Sequence, residues 1–145
     1  MQAMTEWVKE EGSKIVVICG DLEAELAELE EEEREEFRRE LGLEGSSLDR
    51  LIQVGYQVLG LITFYTTVSS ELRAWTVSKG TPAPRAAGKI HSDMEKGFIR
   101  AEIISFSDFV ACGSEHEARE QGLLRSEGKE YRIEDGEIVH FRFNV

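Results

Sequence analysis

Apolar positions along the chain change their period at several points, and each change marks an element. Met4, Trp7 and Val8 recur at i, i+3, i+4, one face of an α-helix, and Gly12 follows where a helix C-cap belongs. Residues 14–20 (KIVVICG) then form a continuous β-branched run closed by glycine. Without alternation, that run predicts a strand buried on both faces, as in a parallel α/β sheet. One parallel strand cannot be stable alone, so the opening reads as the edge of a sheet continued elsewhere and the chain as a fragment. Leu22, Leu26 and Leu29 make a helical stripe that Phe37 and Leu41 continue, with Asp21 as N-cap and Gly42 as terminator. After Ser46-Ser47, the positions Leu48, Leu51, Ile52 and Leu59 repeat at helical spacing as far as Gly60.

From Leu61 the period shortens. Residues 61–68 (LITFYTTV) and 72–77 (LRAWTV) are rich in β-branched and aromatic residues, and Ser69-Ser70-Glu71 between them predicts a β-hairpin. Residues 79–84 (KGTPAP) must be extended or turning, because a residue before proline is pushed out of the α region. A short helix is expected over Arg85 to His91, with Ser92 and Asp93 closing it before Gly97, and a strand over residues 98–105 (FIRAEIIS). Ser107-Asp108 caps a further short helix through Cys112, and residues 115–121 form another. Segments 130–133 and 137–143 read as a last hairpin turning at Glu134-Asp135-Gly136. One small sheet gripping one helix satisfies this order. The fold class is α+β: a β-grasp (ubiquitin-like) domain over 61–145, preceded over 1–60 by a helix-strand piece and connecting helices.

Composition sharpens the division at residue 60. The chain has 145 residues, 41% apolar, enough for a buried core, and a formal net charge of -12. Residues 1–60 account for -10 of that charge and residues 61–145 for -2. Such acidity argues against a generic DNA-coating protein, so no DNA-specific binding is expected. No apolar run approaches the ~18–20 residues that a membrane helix requires, and residues 1–11 contain no apolar signal-peptide core. Two distant cysteines, Cys19 and Cys112, make no disulfide framework or metal motif, which suits a reducing, cytoplasmic compartment.

Candidate chemistry is sparse. His91, His116 and His140 lie more than twenty residues apart with no Cys or His at i+4, so no metal site is assigned. His91-Ser92-Asp93 has the residue types of a hydrolase triad, but adjacent residues in one turn cannot surround a substrate carbonyl. No GxxxxGK[ST] loop is present and no catalytic residue is assigned. The run Glu30 to Glu33 is either an acidic patch or a solvated helix face, and the latter is preferred because carboxylates favour a first helical turn. Lys79, Arg85, Lys89, Lys96 and Arg100 fall within 22 positions with only Asp93 and Glu95 between them. Together they are either a basic face for nucleic acid, with Phe98 nearby for stacking, or a mixed charged surface. If the domain instead docks on protein, Phe64, Trp75 and Phe141 are candidates for an exposed apolar patch.

The stretch RAWTVSKGTPAPRAAGKIHSDMEKGFIRAE (73–102) closely resembles the C-terminal TGS domain of the YchF-type, Obg-related P-loop GTPases, and EGKEYRIEDGEIVHFRFNV (127–145) resembles the family's ending. EAELAEL (23–29) and SLDRLI (47–52) extend the similarity over essentially the whole chain. The resemblance implies a larger enzyme whose P-loop, switch and base-recognition motifs lie upstream, which binds GTP or ATP with magnesium and associates with ribosomes. Residues 15–20 then correspond to the last G-domain strand, and Cys19 and Gly20 to a nucleotide-proximal, G5-like loop. Lys79, Arg85, Lys89, Lys96 and Arg100 become candidates for contact with ribosomal or other structured RNA. The alternative is a TGS domain acting as a lid or docking module on the upstream G domain. On either reading this chain carries no cofactor of its own and hydrolyses nothing alone.

Overall fold

The computed structural model describes residues 2–43, 45–68 and 71–144, so Ser69, Ser70 and Val145, which the sequence reading used, lie outside the described residues. The chain divides into two compact units, Met1–Leu59 and Gly60–Val145.

The first unit is helical. Helix α1 (Gln2–Glu10) closes as its spacing foretold: Gly12 takes φ +68°, and the Ser13 amide donates to Val8 O at 3.0 Å. The strand expected over 15–20 is not formed. Residues 13–19 have no regular structure, and Ile15, Val17 and Ile18 are exposed. A strand is stable only with a ladder partner, and none is present among the described residues of this unit. The helix expected from Leu22 to Leu41 is two helices, α2 (Gly20–Ala27) and α3 (Glu31–Glu40). The break is bridged by Arg34, whose guanidinium donates to Leu26 O at 2.8 Å and Leu29 O at 2.7 Å, tying α3 to the carbonyls around the end of α2. Glu31, Glu32 and Glu33 then occupy the first turn of α3, the favourable place for carboxylates. Helix α4 (Ser47–Leu59) opens on a reciprocal cap, with Asp49 N donating to Ser46 Oγ and Ser46 N to Asp49 Oδ2.

The second unit is a five-stranded sheet ordered β2-β1-β5-β3-β4. Strands β1 (Leu61–Val68) and β2 (Glu71–Ser78) form the antiparallel hairpin, in register from Leu61 opposite Ser78 to Val68 opposite Glu71. Helix α5 (Ala83–Ile90) follows, beginning two residues earlier than expected because Pro84 fits in its first turn. Ser92 and Asp93 do not close that helix; they open a second, α6 (Ser92–Lys96), whose N-cap His91 is extended and accepts the Asp93 amide on Nδ1. Strand β3 (Phe98–Ile104) leads to α7 (Phe106–Cys112), capped by Ser105 rather than by Ser107-Asp108. Helix α8 (Glu115–Glu120) precedes the short strand β4 (Arg125–Glu127).

The last expected hairpin is absent. Residues 130–133 make only a bridge between Pro82 and Arg132, and β5 (Ile138–Phe143) runs parallel to β1 and antiparallel to β3. The 134–136 turn docks on β1 instead: Asp135 Oδ1 accepts the Thr63 amide at 2.7 Å, and Gly136 N donates to Thr63 O at 2.8 Å. This α+β arrangement, a sheet with a central parallel pair closed over one helix, is the β-grasp fold. Alternation along the strands sends Ile62, Phe64, Val77, Ala101, Ile103, Val139 and Phe141 to one face, against Ala83, Ala86 and Ala87 of α5. The other face carries a smaller cluster in which Ile104 and Ile138 meet Cys112 and Ala118.

Candidate functional site

Charge in the second unit is displayed on two different sides of the sheet. Helix α5 buries its alanines and packs Ile90 on the core, and its exposed positions carry Arg85 and Lys89, one turn apart. Both line an open groove beside β2, with Thr76, Ser78 and Glu95. Lys79 is exposed in the turn that leaves β2, and Lys96 is exposed at the end of α6, the helix packed beside α5. Arg85 reaches Glu95 at 4.0 Å, whereas Lys79, Lys89 and Lys96 have no carboxylate within that distance among the described residues. Arg85, Lys89 and Lys96 therefore lie on α5 and the helix packed beside it, with Lys79 in the turn that leads to α5.

Arg100 does not join them. It lies two residues from Glu102 on β3, and both belong to the sheet face opposite α5, since Ala101 and Ile103 point into the main core. There Glu102 accepts hydrogen bonds from three arginines: Arg100 on β3, Arg142 on β5 and Arg119 on α8. The Arg142 hydrogen bond, with support from Arg100 and Arg119, holds the Glu102 carboxyl down at about 2. Phe98, the suggested stacking residue, is buried in the core and presents no ring to a base.

A second network ties the end of the sheet. The Glu137 carboxylate is buried and accepts from Tyr131 Oη at 2.5 Å, Arg125 Nη2 at 2.8 Å and the Glu134 amide at 2.9 Å. Burial, followed by that hydrogen bond to Glu137, pushes the Tyr131 phenol up to about 12. Every acceptor oxygen faces a protein donor, so this network is structural.

The apolar docking patch expected from Phe64, Trp75 and Phe141 is not on the surface. Phe64 and Phe141 are buried with ring centroids 5.9 Å apart, edge to face, and Trp75 packs against the same core with its indole N–H donated to Thr66 Oγ1.

Cys19 and Gly20 are exposed at the start of α2, and Cys19 O already accepts the Glu23 amide at 3.0 Å. The first turn there carries Asp21 and Glu23, whose charge opposes a triphosphate at that helix end. Among the described residues no group of three or more His, Cys, Asp or Glu side chains is placed to hold a metal ion, and no helix is long and apolar enough to cross a membrane.

Sequence reasoning missed Arg119 and Arg142, which are 17 and 40 positions from the carboxylate they meet. The available signal was alternation on β3 and β5, which puts Glu102 opposite His140 and sends Arg142 to the face that carries Arg100.

Comparison with known proteins agrees along the whole chain. The family model YchF-GTPase_C, described as a protein of unknown function (DUF933), matches residues 61–144. The chain is 50% identical over 145 residues to the ribosome-binding ATPase YchF of Escherichia coli O157:H7 and 49% identical over 140 residues to that of Bacillus subtilis. It spans all of this chain and 40% of the first relative, and 97% of this chain and 38% of the second. The solved YchF GTPase of Schizosaccharomyces pombe superposes with a TM-score of 0.84 at 36% identity, over 97% of this chain and 38% of that one.

Proposed function

The chain belongs to the YchF family, in the part that family shares C-terminally, and on that premise we propose that it is the ribosome-attachment part of a nucleotide-hydrolysing protein, with Gly60–Val145 acting as a TGS domain that holds structured RNA. The observation that carries this reading is the exposed pair Arg85 and Lys89 in the α5 groove, with exposed Lys79 in the turn after β2 and exposed Lys96 at the end of α6; Lys79, Lys89 and Lys96 have no carboxylate partner among the described residues. Residues 61–145 carry a net charge of only -2, so such a row forms a local positive surface, and phosphate backbones are the ligands that suit it. The relatives named ribosome-binding ATPases extend well beyond the matched length, so ATP or GTP hydrolysis is assigned to residues outside this chain. Cys19 and Gly20 then contribute no more than backbone near the base, in keeping with the acidic turn that follows them.

Docking on protein through the sheet core has nothing to support it, because Phe64, Trp75 and Phe141 face inward. The test is cosedimentation of the chain with ribosomes over a salt titration, comparing it with Lys89→Glu/Lys96→Glu. Weaker binding and a salt slope shallower by about 2 is the expected result. Identical affinity and slope would remove the helix-bearing side as the contact.

A further inference from the structure

Three elements bring arginines to one carboxylate on the sheet face away from α5. Arg100 donates Nη2 to Glu102 Oε1 at 2.9 Å and Nε to the same oxygen at 3.3 Å. Arg142 donates Nη2 and Nε to Oε2 at 3.0 and 3.2 Å, and Arg119 donates Nη2 to Oε2 at 3.2 Å. The Glu102 side chain is only 12% exposed, whereas those of Arg100, Arg119 and Arg142 are 50%, 53% and 41% exposed. The carboxylate thus sits beneath, and the guanidinium groups form the surface.

Charge does not balance there. Besides Glu102, only Glu115 pairs with this group among the described residues, meeting Arg119 at 3.4 Å, so two carboxylates face three guanidinium groups. Each guanidinium has five N–H donors, and the hydrogen bonds to Glu102 and Glu115 take two or fewer from each. The remaining donors point from side chains already held in place, so a ligand rich in acceptors meets little ordering cost.

We propose that Arg100, Arg119 and Arg142 form a second anion-binding surface, on the opposite side of the sheet from Lys89, which takes phosphates of a structured RNA backbone. Guanidinium forks match phosphate oxygens, and three forks contributed by β3, β5 and α8 suit a repeating polyanion better than a single small ion. The neighbours are polar: His140 stands opposite Glu102 on β5, and Thr67 Oγ1 lies 3.4 Å from Glu115. The proposal rests on the RNA-binding reading above and gives it a second contact, so that the domain holds RNA from two sides or bridges two segments.

The experiment is fluorescence anisotropy of a labelled RNA hairpin titrated with the full 145-residue chain at several salt concentrations. For Arg119→Gln/Arg142→Gln the expected result is roughly tenfold weaker binding and a salt slope shallower by about 2. If the double variant does not fold, Arg119→Gln alone, on exposed α8, should lower the slope by about 1. Unchanged affinity and slope in these variants, with Lys89→Gln/Lys96→Gln impaired, overturns the second surface and leaves the RNA-binding reading standing. No binding by the unaltered chain overturns both. Displacement of the hairpin by poly-L-glutamate as effectively as by unlabelled RNA, at equal charge concentration, overturns the assignment to RNA and points to an acidic protein.

Discussion

Residues 1–59 and 60–145 each hold sixteen leucine, isoleucine and valine residues, yet they place these side chains differently. Among the described residues, Leu26 is the one buried apolar side chain before Gly60, whereas the second unit buries Phe64, Ile103, Ile104, Ile133 and Val139 almost completely. Of the seventeen exposed large apolar side chains among the described residues, twelve precede Gly60. The cause is architectural. A sheet offers two faces and fixes alternate side chains to each, so β1, β3 and β5 gather a core with α5 from residues far apart in sequence. The helices of the first unit have 8 to 13 residues, a length at which helices depend on packing an apolar stripe against something else. The β-rich unit completes its own core, and the helical unit leaves apolar surface exposed.

The comparison is broken most forcefully at Phe64. Its ring is fully buried and edge-on to Phe141, so Phe64→Ala should cost about 3–5 kcal/mol in urea-induced unfolding. A cost near zero would mean the sheet core is not the source of stability. A smaller loss is expected at Gly97, where an added Cβ would collide with the Asn144 backbone carbonyl, one residue past β5, and disturb the pairing in which Asn144 N donates to Gly97 O at 2.9 Å. Gly97→Ala should therefore cost about 1–3 kcal/mol. Gly12→Ala meets open space and carries only the strain of a positive φ, of order 1 kcal/mol, so thermal melts of the two variants should separate.

How far the fold could be read from the residues follows the same division. The hairpin, β3, α8 and the α5 region were legible because each is a local pattern: alternation, a glycine stop, or a proline that fits a first helical turn. The 15–20 run misled because β-branched residues signal a strand without saying whether a partner is within reach, and here the backbone has no ladder. The terminal hairpin misled for a related reason. Glu134-Asp135-Gly136 is a sound turn signal, but its groups bond to Thr63, more than seventy residues away, and no local pattern reports that. Among site residues, the shared placement of Arg85 and Lys89 followed from their spacing on one helix. The separation of Arg100 from them was also implicit, since alternation with buried Ala101 puts it across the sheet. Arg119 was out of reach of any local rule, because a tertiary turn of the chain brings α8 to β3.

Acidification gives a smaller and more selective probe of the second unit. The folded-state pKa of Glu102 is about 2, below its ordinary 4.5, chiefly because of the hydrogen bond from Arg142. Its contribution to stability is present in full above pH 4.5 and is lost as the pH falls toward 2. Glu102→Gln should therefore melt below the parent chain at neutral pH, and the gap should close across that acidic window. A gap independent of pH would show that shape, rather than charge, holds the three arginines.

The smallest effect is expected on α4, where Leu51 is 49% exposed. Leu51→Gln removes apolar surface that the solvent already touches, so the unfolding free energy should change by about 0.5 kcal/mol or less. The substitution sharpens the comparison because Leu48, Ile52, Val58 and Leu59 on the same helix are exposed as well. If stability instead falls by as much as at Phe64, the stripe is covered in solution, and dependence of the melting midpoint on chain concentration would identify the cover as a second copy. If stability is unchanged while dye binding to exposed apolar surface decreases, the stripe is open and waiting for a partner. The helical unit would then be a docking surface by the same physics that makes the sheet a core: apolar area left in water is an interaction not yet made.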